Sequence, residues 1–253
     1  MSPKGRPEGE SAPKRASAEG SPVTATRQGA APAVAADERD LPALLDRGLE
    51  GLGLPLPPAV RQQLLRYVAL LARWNRTYNL TAIREPGRMV THHLLDSLAV
   101  VPALDRVAAG RATFSVLDVG SGGGLPGIPI ALARPEWRVT MVDPVQKKGA
   151  FLVQAIAELG LGNARVAIAR VEDLSTTVPF DVVISRAFAD LAAFVQAALR
   201  HVARDGRLVA MKGVHPDAEL AELPPGVEVE EMLALAVPFV DGARHLVVMR
   251  RRT

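Results

Sequence analysis

The stretch FSVLDVGSGGGLPGIPI, residues 114–130, decides the fold. Phe114, Val116, Leu117 and Val119 form an apolar run of strand length, with an acid, Asp118, near its end and a glycine cluster behind it. A second apolar run, Ile128 to Leu132, follows. The pattern predicts strand, tight turn, helix. Gly120, Gly122, Gly123 and Gly124 lack a Cβ, so the turn is free to take positive φ and to bring backbone close to a ligand. The helix start behind them offers unpaired N–H groups and the positive end of a dipole.

The dinucleotide fingerprint G-x-G-x-x-G needs a third glycine where Leu125 stands. The spacing here is D-x-G-x-G-x-G, from Asp118 to Gly124, which resembles motif I of class I S-adenosylmethionine-dependent methyltransferases. Trp137 to Val142 alternates as a second strand and ends at Asp143, 25 residues after Asp118. An acid at that position accepts hydrogen bonds from the ribose hydroxyls of an adenosine. NAD and S-adenosylmethionine share that ribose, so Asp143 does not separate them; a turn-initiating Asp before Pro144 is the plainer alternative. An acid at Asp118, where NAD folds usually place an apolar residue, favours the second cofactor.

The 253 residues, 48% of them hydrophobic, suffice for one α/β domain and an appendage. Cysteine is absent, which excludes disulfides, thiolate metal sites and a cysteine nucleophile. No apolar run approaches the ~20 residues of a membrane span, and the first residues lack the apolar core of a secretory signal. A cytoplasmic protein with no metal and no membrane partner is expected, and a monomer is favoured. Net charge is +3, and residues 41–98 carry seven arginines against four acids while the remainder balances. A basic appendage on a neutral domain suits a polyanion, though a solvated helix face explains the charge as well.

Residues 1–38, rich in Ala, Pro, Ser, Gly and charge, read as a disordered tail. Residues 39–107 read as a helical segment: Leu41–Leu52, then a helix opened by Pro57 and Pro58 and running to about Asn75, then Thr91–Pro102. Residues 108–253 alternate strand and helix. Strands are predicted at 114–119, 138–143, 165–169, 180–185, 206–212, 227–236 and 244–251, with helices notably at 145–160 and 187–203. Such alternation means an α/β fold, a parallel sheet covered on both faces, with ligands beyond the carboxyl ends of its strands. Arg186 and Lys212 stand at two of those ends.

WNRTYNLTAI (74–83), HHLLDSL (92–98), LDVGSGGGLPGIPIAL (117–132), FDVVISRAF (180–188), VAMKG (209–213) and RHLVV (244–248) resemble, in order, the ribosomal RNA small subunit methyltransferase G family, also called glucose-inhibited division protein B. The resemblance covers about 41–251. It implies N7 methylation of one guanine in 16S rRNA of the small ribosomal subunit, with S-adenosylmethionine as cofactor. It also implies a Rossmann-like, mostly parallel seven-stranded sheet with its last strand antiparallel. The family's cofactor contacts fall on Gly120 and Leu125, on Val171 and Glu172 after the third strand, and on Arg186. Gly122 and Asp143 complete the expected cofactor site. Two departures stand out. Gly123 replaces the family's usual Pro or Ala, which is expected to loosen the turn, and His92 replaces a usual Arg or Lys, so a fixed cation is missing there.

Guanine N7 already carries a lone pair, so the reaction needs positioning and electrostatics rather than a strong general base. No catalytic base is therefore nominated. His93, Asp96, Lys212 and Arg244 are the candidates for substrate contact. His93, Asp96 and Lys212 have structural alternatives, a packing hydrogen bond for the first two and a solvated strand end for the third; the cofactor candidate Arg186 has one as well, an internal ion pair with Asp118 or Asp96. A methyltransferase for small molecules or proteins and an RNA-binding module without catalysis are the competing functions. A nicotinamide oxidoreductase is more distant, for want of the third glycine.

Overall fold

The computed structural model describes residues 40–188 and 190–252. The tail expected over 1–38 lies outside the described residues. The chain opens with α1 (Leu41–Gly51), capped by the Asp40 carboxylate, which accepts from the Ala43 N–H at 3.1 Å. Then α2 (Pro58–Tyr78) begins at the paired prolines and runs a turn beyond the predicted end, stopped by Asn79 at φ 50°. Its apolar stripe, including Leu64, Tyr67, Val68 and Leu71, is buried, with α2 packed on α1 and on the helices that follow the first two strands.

The helix predicted from Thr91 to Pro102 is placed differently. It starts earlier, as α3 (Pro86–Met89), widens into a π-helical stretch (Val90–Leu95), and tightens again as α4 (Asp96–Leu98). It stops at Ala99–Val100, because Pro102 cannot donate a backbone hydrogen bond and instead opens α5 (Val101–Ala108).

The sheet has seven strands: β1 (Ser115–Val119), β2 (Arg138–Val142), β3 (Ala164–Ala167), β4 (Phe180–Ser185), β5 (Val202–Lys212), β6 (Val227–Ala234) and β7 (His245–Arg251). Their order is β3-β2-β1-β4-β5-β7-β6. All pairs are parallel except those of β7, which runs antiparallel to both neighbours. Between β1 and β2 lies α6 (Gly127–Ala133), and α7 (Gln146–Leu159) leads to β3. After β4 comes α8 (Leu191–Ala198), and after β5 the short α9 (Asp217–Ala221). The predicted helix 187–203 is shorter than expected, and β5 starts before residue 206. Val202 is drawn into the ladder opposite Phe180, a pairing that local pattern does not reveal.

The α/β alternation has its physical cause in burial. Strands covered on both faces read as continuous apolar runs, and β1, β4 and the end of β5 do. One core lies between the sheet and α1, α2, α6 and α7; the other lies under α8. The N-terminal helices therefore share a core with the sheet. No helix among the described residues is long and apolar enough to cross a membrane.

Candidate functional site

Strand order reverses between β1 and β4, and the crevice at such a switch point is where open α/β sheets bind ligands. The residues leaving those strands are Gly120 and Arg186. Gly120 has φ 72°, and a Cβ there would stand 2.8 Å from the Ala187 Cβ, so only glycine keeps the crevice mouth open.

Beyond Gly120 the loop is tied from three sides. The Gly120 and Ser121 N–H groups donate to the Val142 carbonyl at 2.8 and 3.3 Å. The Gly122 N–H donates to Asp143 Oδ2 at 3.0 Å, and the Val145 N–H to Asp143 Oδ1 at 2.9 Å. Lys148 Nζ lies 3.5 Å from the same carboxylate. Asp143 is thus a buried carboxylate aimed by backbone donors, with lone pairs left for a further partner. From the other side the Tyr67 hydroxyl donates to the Gly123 carbonyl at 2.5 Å, and Leu71 lies 3.1 Å from where a Gly123 Cβ would be. Tyr67 and Leu71 of α2 thus brace the turn at Gly123. Leu125 is buried beneath the loop, its N–H donating to the Ser121 carbonyl at 2.9 Å.

A cavity of about 250 Å³ opens beside Gly120, between Val142, Pro144, Ala169, Val171, Glu172 and Ala187. Three predicted cofactor residues, Gly120, Val171 and Glu172, line it. The turn Val171–Asp173 is held from behind, where His201 Nε2 meets the Val171 carbonyl at 2.7 Å and Arg200 donates to the Glu172 carbonyl. Gly122, Leu125 and Asp143 shape the loop beside this cavity rather than its wall.

A second cavity, of about 320 Å³, adjoins the first: Ala187 lines one and Arg186 the other. All four substrate candidates, His93, Asp96, Lys212 and Arg244, line the second, with His92 and His245. Asp96 is its only carboxylate among the described residues, and both oxygens are occupied. Arg186 Nη1 donates to Oδ2 at 3.0 Å and Arg244 Nε to Oδ1 at 3.0 Å. Of the alternatives open for Arg186, the internal pair with Asp96 is the one formed. Arg186 also reaches the His92 carbonyl, at 3.3 Å, in the π-helical stretch.

His93 has both ring nitrogens engaged. Nδ1 lies 3.1 Å from the His92 carbonyl, which makes it the protonated nitrogen, and Nε2 accepts from the Thr81 hydroxyl at 2.8 Å. Burial, reinforced by Arg186, pulls its pKa down to about 4. His92 is likewise pulled down, by burial and then by Arg88 and Arg244, so it stays neutral at pH 7 as its replacement of a cation implies. Lys212 is no solvated strand end: its ammonium meets Glu219 Oε2 at 2.7 Å and the Phe188 carbonyl at 3.4 Å. No group of three His, Asp or Glu side chains among the described residues could hold a metal.

Several supporting residues escape a reading of the chain. Asn75 is buried, donating to the Ile83 carbonyl at 3.0 Å and accepting from the Thr81 N–H at 2.8 Å, which delivers Thr81 to His93. Tyr67, Arg200 and His201 offered no signal, because their partners are distant in sequence.

The model for rRNA small subunit methyltransferase G matches residues 60–247. The chain belongs to this family. It is 54% identical over 216 residues to the ribosomal RNA small subunit methyltransferase G of Burkholderia pseudomallei (strain 1106a), covering 84% of this chain and 92% of the relative. The Burkholderia thailandensis protein of the same name matches at the same identity and coverage. The N-methyltransferase NodS from Bradyrhizobium japonicum WM9, solved with S-adenosyl-L-homocysteine, shares the fold at TM-score 0.52 and 15% identity, covering 73% of this chain and 99% of NodS. Within the family, the match spans α2, the π-helical stretch and all the strand ends that build the two cavities. The segment before the sheet lies within that match from residue 60 onward.

Proposed function

We propose that this chain methylates N7 of a specific guanine in 16S rRNA of the small ribosomal subunit, with S-adenosylmethionine as methyl donor. The observation that carries the reading is the pair of adjoining cavities at the β1/β4 switch point, in a chain of this family. The cofactor supplies an electrophilic methyl group on a sulfonium. The cavity beside the glycine loop fits its nucleoside: Gly120 permits close approach, Val171 and Glu172 border the adenine side, and Asp143, in the loop beside the cavity, holds a pre-aimed carboxylate for the ribose hydroxyls.

The second cavity suits the acceptor. Three cations, Arg186, Lys212 and Arg244, line it; the two arginines share one carboxylate, Asp96, while Lys212 pairs with Glu219, so one positive charge is in excess. That balance favours a phosphate-bearing substrate. Asp96 aims two guanidinium groups, one on each oxygen, and His93 is neutral with both nitrogens engaged. A reaction on a nitrogen that already bears a lone pair needs no proton removed, so these residues serve by positioning. In this reading the sequence candidates divide: Arg186 and Arg244 face substrate, while Asp96 and His93 hold them and the pocket wall in place.

The test is transfer of labelled methyl from S-adenosylmethionine to small ribosomal particles that lack this modification, with the labelled base mapped. Label on one guanine as 7-methylguanosine is the expected result. Cofactor binding without label on RNA would overturn the substrate.

A further inference from the structure

We propose that Tyr78 is a stacking platform for an unpaired base of the RNA substrate, beside the base that is methylated; this rests on the function proposed above. Tyr78 is the last residue of α2, and 42% of it is exposed. Among the described residues the other exposed Phe, Tyr or Trp ring is Phe239, and the Arg47 guanidinium lies over it at 5.6 Å. Among the described residues no such cation covers Tyr78. It is instead backed by Trp74, centroid to centroid 5.1 Å at 34°, and Trp74 by the buried Phe151, 5.6 Å at 62°. An exposed ring held by two rings behind it is pre-ordered, so a base stacking on it loses little side-chain entropy on the protein side.

Its place in the fold is the functional edge. Gln63 of α2 donates to the Leu159 carbonyl at the end of α7, whereas Trp74 meets Phe151 nearer the start of α7. The two helices therefore run antiparallel, and the end of α2 arrives where α7 begins, just past Asp143. Asn79 then turns the chain in the left-handed region, Thr81 reaches His93, and Ile83 lines the acceptor cavity. Tyr78 thus stands at the end of α2 that meets the start of α7, five residues before Ile83 of the acceptor cavity.

The surroundings are cationic. Arg76 and Arg88 are exposed with no ion pair among the described residues, Arg84 is held by Asn79 Oδ1 at 3.1 Å, and the one acid of the stretch is Glu85. An isolated aromatic face among arginines is the chemistry of single-stranded RNA, in which unstacked bases need a π-face and phosphates need cations. A protein partner would call for a broader apolar patch than one ring.

The experiment compares Tyr78→Ala, Tyr78→Phe and Tyr78→Trp in the full chain. It measures methyl transfer to unmodified small ribosomal particles, cofactor affinity by calorimetry, and thermal unfolding. Tyr78→Ala should raise the KM for particles by about 5- to 150-fold, the range that aromatic–base stacks carry, with cofactor affinity unchanged. The Phe and Trp variants should restore it. An unchanged KM in Tyr78→Ala overturns the platform, as does an equal loss in Tyr78→Phe or a matching loss of cofactor affinity. A wild-type chain that transfers no methyl to RNA overturns the function itself.

Discussion

Asp118 shows how one residue serves the site without facing it. It is fully buried at the end of β1, its Oδ2 accepting from the Gly127 N–H at 2.9 Å while Oδ1 has no partner among the described residues. Burial drives its pKa up to about 7, against the Gly127 hydrogen bond that lowers it. A raised acid means that the folded protein holds a proton which the unfolded chain has already released. The contribution to stability is therefore full below the ordinary carboxylate range and is lost as pH rises through about 7. Asp118→Asn keeps the shape and an acceptor for Gly127 but does not titrate. Its stability relative to wild type should climb between about pH 5 and about pH 8, as read by urea unfolding at both. A constant difference would show that Asp118 titrates at its ordinary value.

At the scale of elements, α2 couples the sheet's cofactor loop to the surface before it. Tyr67 and Leu71, one turn apart, both bear on Gly123, and among the described residues the Tyr67 hydroxyl is the one donor to that buried carbonyl. Removing one partner of a buried hydrogen bond costs about 1–3 kcal/mol. Tyr67→Phe should lose stability of that order and also weaken cofactor binding, since the loop would be held by Asp143 and its strand contacts alone. Chemical unfolding and cofactor calorimetry check the two arms. A stability loss with unchanged cofactor affinity would confine Tyr67 to packing. The π-helical stretch acts similarly on the acceptor side, turning the His92 carbonyl and Asp96 toward Arg186.

At the scale of the molecule, charge and fold divide what was legible. The arginine excess of residues 41–98 is partly consumed inside the structure, since Arg61 pairs with Asp46 at 2.7 Å and Arg73 with Glu158 at 2.8 Å. Arg66 and Arg76 on α2 remain exposed with no ion pair among the described residues. Replacing both by Glu should weaken particle binding and flatten its salt dependence, each lost phosphate contact removing about 0.7 from the slope of log affinity on log salt for a single strand. Cofactor affinity should not change. An unaltered slope would place the RNA on another face. Sequence alone determined the strand–turn–helix at residues 114–130, the acid Asp143, the α/β alternation and the helical lead-in, because apolar period, glycine and proline act on their own neighbours. Tertiary structure decided that Arg186 and Arg244 share Asp96, that Lys212 meets Glu219, that Tyr67 holds Gly123, and that β5 begins at Val202. Each of these joins groups that the chain itself does not place side by side, and a charge or a hydrogen-bonding group takes whichever partner the packed sheet and helices bring within about 3 Å.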